Sequence, residues 1–174
     1  MDWMGSPKRV RWPILLAVEA TNIGGSVLVA ATDSDREDER LLRKLAYRYA
    51  RLIDRRDWSE IPRVFTEAAR VSGPGYAMTG HQELKAGLQA IEMYSATMHC
   101  VHNQIADIDG DRAHGELYCV ANHLHERDGV PFKLDMGIRY EDRYERGPNG
   151  WRIAERVLNL IWQQDLPLEA SADV

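Results

Sequence analysis

The sequence is short of the residue types that announce a fixed chemistry. Two cysteines in 174 residues, with no Cys-x-x-Cys pair, exclude a disulfide scaffold and a cysteine-rich zinc site. Positive charge is scarce as well: 22 Lys and Arg stand against 27 Asp and Glu, a formal net charge of −5. That balance argues against a generic nucleic-acid binder, which needs a basic surface to displace counterions from phosphates. The one apolar-leaning stretch, Trp12–Ala31, is a poor membrane span because Glu19, Thr21, Asn22, Gly24 and Gly25 interrupt it. A cytoplasmic location is expected. No glycine-rich phosphate loop, G-x-G-x-x-G, G-x-S-x-G or H-E-x-x-H occurs, so nucleotide, dinucleotide, serine-hydrolase and zincin readings lack their usual motifs.

What is present suits one globular domain. The hydrophobic fraction of 44% is near the globular average, which argues against disorder for most of the chain. Phe is nearly absent, with two copies against five Trp and seven Tyr. Trp and Tyr pair apolar area with a polar handle, which suits a core or a pocket wall. Residues 1–32 are expected to lie outside the fold. The basic Lys8, Arg9 and Arg11, the apolar middle and the small Ala30 and Ala31 leave a signal, a tail and an upstream start all open. The compact domain is expected over residues 33–168, with a tail over 169–174.

Helical spacing starts at Asp33. Ser34 or Asp35 can cap the helix, the first turn is acidic, and Leu41, Leu42, Leu45, Tyr49, Leu52 and Ile53 form one apolar face. A second short helix follows Ser59, with Ile61, Val64 and Phe65 inward. Gly73-Pro74-Gly75 marks a turn. A third helix begins after Thr79, with Gln82 as a possible capping-box partner and Leu84, Leu88 and Ile91 as its buried stripe.

Beyond Tyr94 four long strand-like segments follow, over 97–108, 112–126, 130–145 and 151–164. Asp-Gly and Asn-Gly turn signals separate them. Helices first and a meander afterwards predict an α+β fold: helices packed on one side of a curved antiparallel sheet. By phase, Tyr118, Val120, Asn122 and Leu124 share one face of the second segment. Leu117, Cys119, Ala121, His123 and His125 share the other. Met136, Ile138 and Tyr140 line up on the third segment, and Arg156, Leu158, Leu160 and Trp162 on the fourth. Val120, Asn122, Met136, Tyr140, Arg156 and Leu158 then read as one pocket-facing surface. Leu117, Cys119 and Ala121 read as a solvent side apolar enough to pack on a partner. His123 and His125 share a strand face, but a metal site would need further ligands from elsewhere. On the wheel Asp54 lies off the apolar face of its helix, as a solvated acid would.

The run Tyr47–Trp58 (YRYARLIDRRDW), the run Thr97–Asn103 (TMHCVHN), the Asp-Gly-Asp turn before Ala113 and the closing Gly150–Arg156 (GWRIAER) together resemble the SnoaL-like family. That family belongs to the nuclear transport factor 2-like superfamily of cone-shaped α+β barrels. The pattern is similar to scytalone dehydratase, hexachlorocyclohexane dehydrochlorinase and bile acid 7α-dehydratase. The resemblance implies a cofactor-independent lyase, of dehydratase or dehydrohalogenase type, acting on a hydrophobic ring substrate such as a steroid, polyketide or aromatic. It implies an Asp–His dyad, here Asp54 and His99, with His99 as base and Asp54 orienting it. Tyr49 and Arg156 match further catalytic positions. The polar residue of the second long strand falls on Asn122, which cannot exchange a proton at neutral pH, or on His123 if a bulge shifts the phase. Trp58, Val120, Met136, Ile138, Tyr140 and Leu158 are the expected pocket residues. No metal or organic cofactor is implied, nor is a nucleic-acid or membrane partner. A homo-oligomer, trimer or dimer, is implied. A ketosteroid-isomerase-like or polyketide-cyclase-like enzyme and a non-catalytic binding or assembly module are the alternatives.

Overall fold

The computed structural model describes residues 33–168; the expected extension over 1–32 and the tail over 169–174 lie outside the described residues. Helix α1 (Asp33–Arg55) buries Leu42, Leu45, Ala46, Tyr49, Ala50, Leu52 and Ile53. It ends where Arg56 takes a positive φ of 55°, a conformation that breaks the helical ladder. A 3₁₀ turn (Trp58–Glu60) and α2 (Ile61–Val64) follow, with Ile61, Val64 and Phe65 buried.

The turn at Gly73-Pro74-Gly75 proves to join two strands, β1 (Phe65–Gly73) and β2 (Tyr76–Thr79). The buried residues of β1 are Phe65, Ala69 and Val71, and its register with β6 shifts between Phe65 and Arg70. Helix α3 (Gly80–Leu88) continues as a 3₁₀ turn (Gln89–Met93). Glu83, rather than Gln82, accepts the Thr79 backbone N–H, at 2.8 Å.

The long strands are β3 (Ala96–Asp109), β4 (Arg112–Arg127), β5 (Val130–Gly147) and β6 (Gly150–Pro167). The sheet order is β2-β1-β6-β5-β4-β3, so the sheet is open rather than closed into a barrel. It is also mixed rather than antiparallel throughout, because β1 pairs in parallel with β6.

Turn length decides the faces. Asp128 and Gly129 form a two-residue turn, both with positive φ (53° and 77°), as such tight hairpins require. A two-residue turn sets odd positions of β4 opposite even positions of β5: Leu117 faces Tyr140, Cys119 faces Ile138 and Ala121 faces Met136. Leu117, Cys119, Ala121 and His123 are therefore buried on the inner face, and Val120 and Asn122 lie on the outer one. This reverses the phase expected for β4, and it takes Leu117, Cys119 and Ala121 away from any partner-packing surface. Irregularities in β3 and β6 complete the alignment. One extra residue of β3 between Val101 and Gln104 places His99 opposite Ala121. Another in β6, facing Arg143 and Tyr144, places Arg156 opposite Asp142 and Leu158 opposite Tyr140.

Asp38 lies one helical turn before Leu42 and is buried with it. Its carboxylate accepts the Trp151 indole N–H at 2.9 Å and an Arg146 N–H at 2.6 Å. The Arg146 guanidinium also stands 4.5 Å from the Trp151 ring centre. The start of α1 is thereby fixed to the β5–β6 hairpin. Among the described residues no helix is long and apolar enough to cross a membrane. Asp38→Ala should lower unfolding stability by about 2 kcal/mol, because it strands two donors that now bond a charged group. Urea denaturation followed by Trp fluorescence measures the loss.

Candidate active site

Ala46, Ala50 and Asp54 fall on successive turns of α1. The two small, buried alanines leave the helix room to approach the sheet, and the next turn presents Asp54 to β3. There its carboxylate accepts three hydrogen bonds: from the Thr97 hydroxyl at 2.9 Å, the His99 backbone N–H at 2.9 Å and the His99 ring Nδ1 at 2.7 Å. Burial pushes the Asp54 pKa up, but the His99 and Thr97 bonds together outweigh it and hold the carboxyl below its ordinary range. A carboxylate only accepts, so Nδ1 of His99 carries a hydrogen, and in the neutral tautomer Nε2 is the free nitrogen. The His99 side chain is only 5% exposed.

Tyr49 meets His99 edge-on, with ring centres 6.4 Å apart, and packs the same way on Phe65 and Tyr140, both at 5.9 Å. Behind Tyr49 and Tyr140 lies Arg156, whose guanidinium carbon is 4.2 Å from each ring centre. Arg156 and Asp142 are wholly buried and form a two-pronged pair, Nε to Oδ1 at 2.7 Å and Nη2 to Oδ2 at 2.6 Å. Burial works against the Arg156 charge, yet the Asp142 carboxylate more than offsets it and raises the pKa. The Tyr144 hydroxyl donates to the same carboxylate at 2.7 Å. Burial also raises the Tyr49 and Tyr140 hydroxyls above the usual phenol range, so both keep their protons and can donate.

His123 completes the group from β4. Its ring centre is 5.9 Å from that of His99 and 4.7 Å from that of Tyr94. Nδ1 donates to the Leu134 carbonyl at 3.3 Å, which leaves Nε2 unprotonated. Burial first, and second the charge that His99 gains whenever it is protonated, hold its pKa below the ordinary imidazole range, which favours the neutral ring.

These side chains border a cavity of about 500 Å³. Tyr49, His99, Met136, Ile138, Tyr140 and Leu158, expected from the sequence, all line it, with Asp54 directly behind His99. Arg156 is placed behind the tyrosines rather than on the wall. Three expected residues are elsewhere. Val120 and Asn122 face outward, Asn122 donating to Asp135 at 2.6 Å, because of the β4 register. Trp58 is tied by its indole N–H to Glu92 at 2.8 Å and does not line the cavity. Tyr76, Met78 and Tyr94 line it without having been singled out for it, and so does His123, the alternative to Asn122. The length of the Asp128-Gly129 turn was the signal for His123. His125 turns away to Asp165, at 2.9 Å. Among the described residues no three His, Cys, Asp or Glu side chains are grouped to hold a metal ion.

Comparison with known proteins extends the picture. Residues 34–157 match the SnoaL-like domain. An uncharacterized protein of Mycobacterium tuberculosis is 29% identical over 145 residues, 80% of this chain and 94% of that one. Among solved structures, a protein assigned as a scytalone dehydratase from Novosphingobium aromaticivorans superposes with a TM-score of 0.70 at 22% identity, covering 80% of this chain and 95% of that one. A hexachlorocyclohexane dehydrochlorinase of Novosphingobium barchaimii gives 0.67 at 15% identity, covering 82% and 97%. At such identities the structural likeness is one of fold.

Asp54 and His123 both hold fewer protons folded than unfolded. The stability they contribute is therefore present above their unfolded pKa values and lost as pH falls, through the imidazole range for His123 and then the carboxylate range for Asp54. Urea midpoints measured against pH should fall in that order. His123→Gln should flatten the upper part of the curve only.

Proposed function

The chain belongs to the SnoaL-like family, and on that premise we propose that it is a cofactor-independent lyase acting on a small hydrophobic ring substrate. The observation that carries this reading is the 2.7 Å bond from His99 Nδ1 to Asp54, at the wall of a largely apolar cavity. A base backed by a carboxylate can remove a proton from an activated carbon, because the carboxylate stabilises the imidazolium that forms. In the proposed step His99 Nε2 takes the proton. The C–H electrons become the new double bond, and the leaving hydroxide or halide departs with its own bonding pair. Tyr49, protonated and beside His99, donates to the leaving group or to a carbonyl oxygen. His123 offers a second, neutral imidazole on the same wall. Arg156 acts as a positioning residue, holding the two tyrosine rings in place. Homo-oligomer assembly belongs to the same proposal, and it has to use surfaces other than Leu117, Cys119 and Ala121, which lie inside.

The test needs no knowledge of the natural substrate. A nitrobenzisoxazole loses a carbon-bound proton to a well-placed base and opens, with N–O cleavage, to a coloured phenolate. The wild-type protein should accelerate this reaction, and His99→Ala should reduce the rate roughly 10²–10⁴-fold with the fold intact by circular dichroism. Equal rates in the two proteins would remove His99 as the base. Deuterium uptake into ring ketones without elimination would favour the isomerase-like or cyclase-like alternative. Unchanged ligand binding with no proton transfer would favour a binding module.

A further inference from the structure

Part of the cavity wall is built from β2 and α3. Two side chains of β2 two residues apart, Tyr76 and Met78, line the cavity, and both lie against a glycine. A Cβ at Gly73 would stand 2.6 Å from the Tyr76 ring, and a Cβ at Gly87 would stand 2.0 Å from Met78 Sδ. The two positions differ in what could yield. Tyr76 is a rigid ring, and Gly73 belongs to the tight β1–β2 hairpin. Met78 is unbranched, with three rotatable bonds, and its sulfur makes the closest approach to Gly87. Gly87 lies within α3 and needs no positive φ, so its backbone conformation admits alanine. The absence of a side chain at Gly87 is thus required by Met78 rather than by the backbone. With Val71 of β1 across the hairpin from Met78 and Gly87 beneath its sulfur, the cavity that Met78 already borders is one of the directions open to a displaced thioether.

We propose that Gly87 is a specificity-determining position: by letting Met78 lie flat on α3 it keeps the cavity wide enough for four-ring ligands. This rests on the reading of the cavity as a ligand pocket, but not on His99 being a base. The hydrogen bonds of Asp54 and His99 involve neither Gly87 nor Met78, so ligand size and proton transfer can be tested separately. In a cavity of about 500 Å³, one methylthio group turned inward removes room that a two-ring ligand does not need and a four-ring ligand does.

The experiment compares wild type, Gly87→Ala, Met78→Ala and the double variant by calorimetric titration with naphthol and with progesterone, alongside a crystal structure of Gly87→Ala. In Gly87→Ala, progesterone affinity is expected to fall tenfold or more while naphthol affinity changes less than twofold. The melting temperature is expected to hold or rise, since alanine favours a helix over glycine. The double variant should recover progesterone binding, because removing the thioether removes the obstruction. The crystal structure should show Met78 turned into a smaller cavity. Unchanged progesterone affinity, equal loss of both ligands, no recovery in the double variant, or Met78 turned to solvent would each overturn the inference. Wild-type protein that binds neither ligand would overturn it together with the pocket reading. Loss of the size effect with nitrobenzisoxazole turnover intact would overturn this inference alone.

Discussion

Asp54 accepts three hydrogen bonds from two alternate residues of a single strand, and most of the site's geometry follows from them. The backbone bond fixes where the end of α1 meets β3. The Thr97 bond occupies the carboxylate's side, and the His99 bond sets the imidazole's tautomer and orientation. A half-buried carboxylate is costly unless its acceptors are filled, and here they are filled from one place. The same contact holds Tyr49, one turn and a residue earlier on α1, edge-on to the imidazole, so the helix carries both the Asp54 carboxylate and the Tyr49 hydroxyl to one wall.

A second buried charge supports that wall from behind. Arg156 and Asp142 neutralise each other inside the sheet, and the guanidinium stacks against both Tyr49 and Tyr140. Removing one member would leave an uncompensated charge, which is far more costly than removing both. The pair can be accommodated because an extra residue in β6 turns Arg156 onto the same side as Asp142. With Asp38 fixing the other end of α1 to Trp151 and Arg146, the helix is held at both ends by carboxylates and along its middle by apolar packing.

Much of this was legible in the sequence where the signal is local. The stripe of α1, the four long strands and the turn at Gly73-Pro74-Gly75 follow from periodicity and turn chemistry. Asp54 and His99 were legible only through resemblance, because a wheel that scores Leu, Ile and Tyr overlooks the Ala46–Ala50 line that leads to Asp54. The inward face of β4 was misread although its cause is local: a two-residue Asp128-Gly129 turn pairs odd positions with even ones, which brings His123 in and turns Asn122 out. Other features depend on distant partners. The burial of Asp38 needs Trp151, that of Arg156 needs Asp142, and β1 is completed by a parallel neighbour from the far end of the chain. The extra residues in β3 and β6, which aim His99 and Arg156, break the alternation on which a phase argument relies.

The account depends on His99 presenting an unprotonated nitrogen to the cavity while Asp54 holds the other. Nitrogen-15 NMR of the imidazoles tests this most directly. The neutral ring of His99 is predicted to carry its proton on Nδ1, with a far-downfield proton signal that disappears in Asp54→Asn, and to leave Nε2 bare. A neutral His99 protonated at Nε2, or a signal indifferent to Asp54, would contradict it.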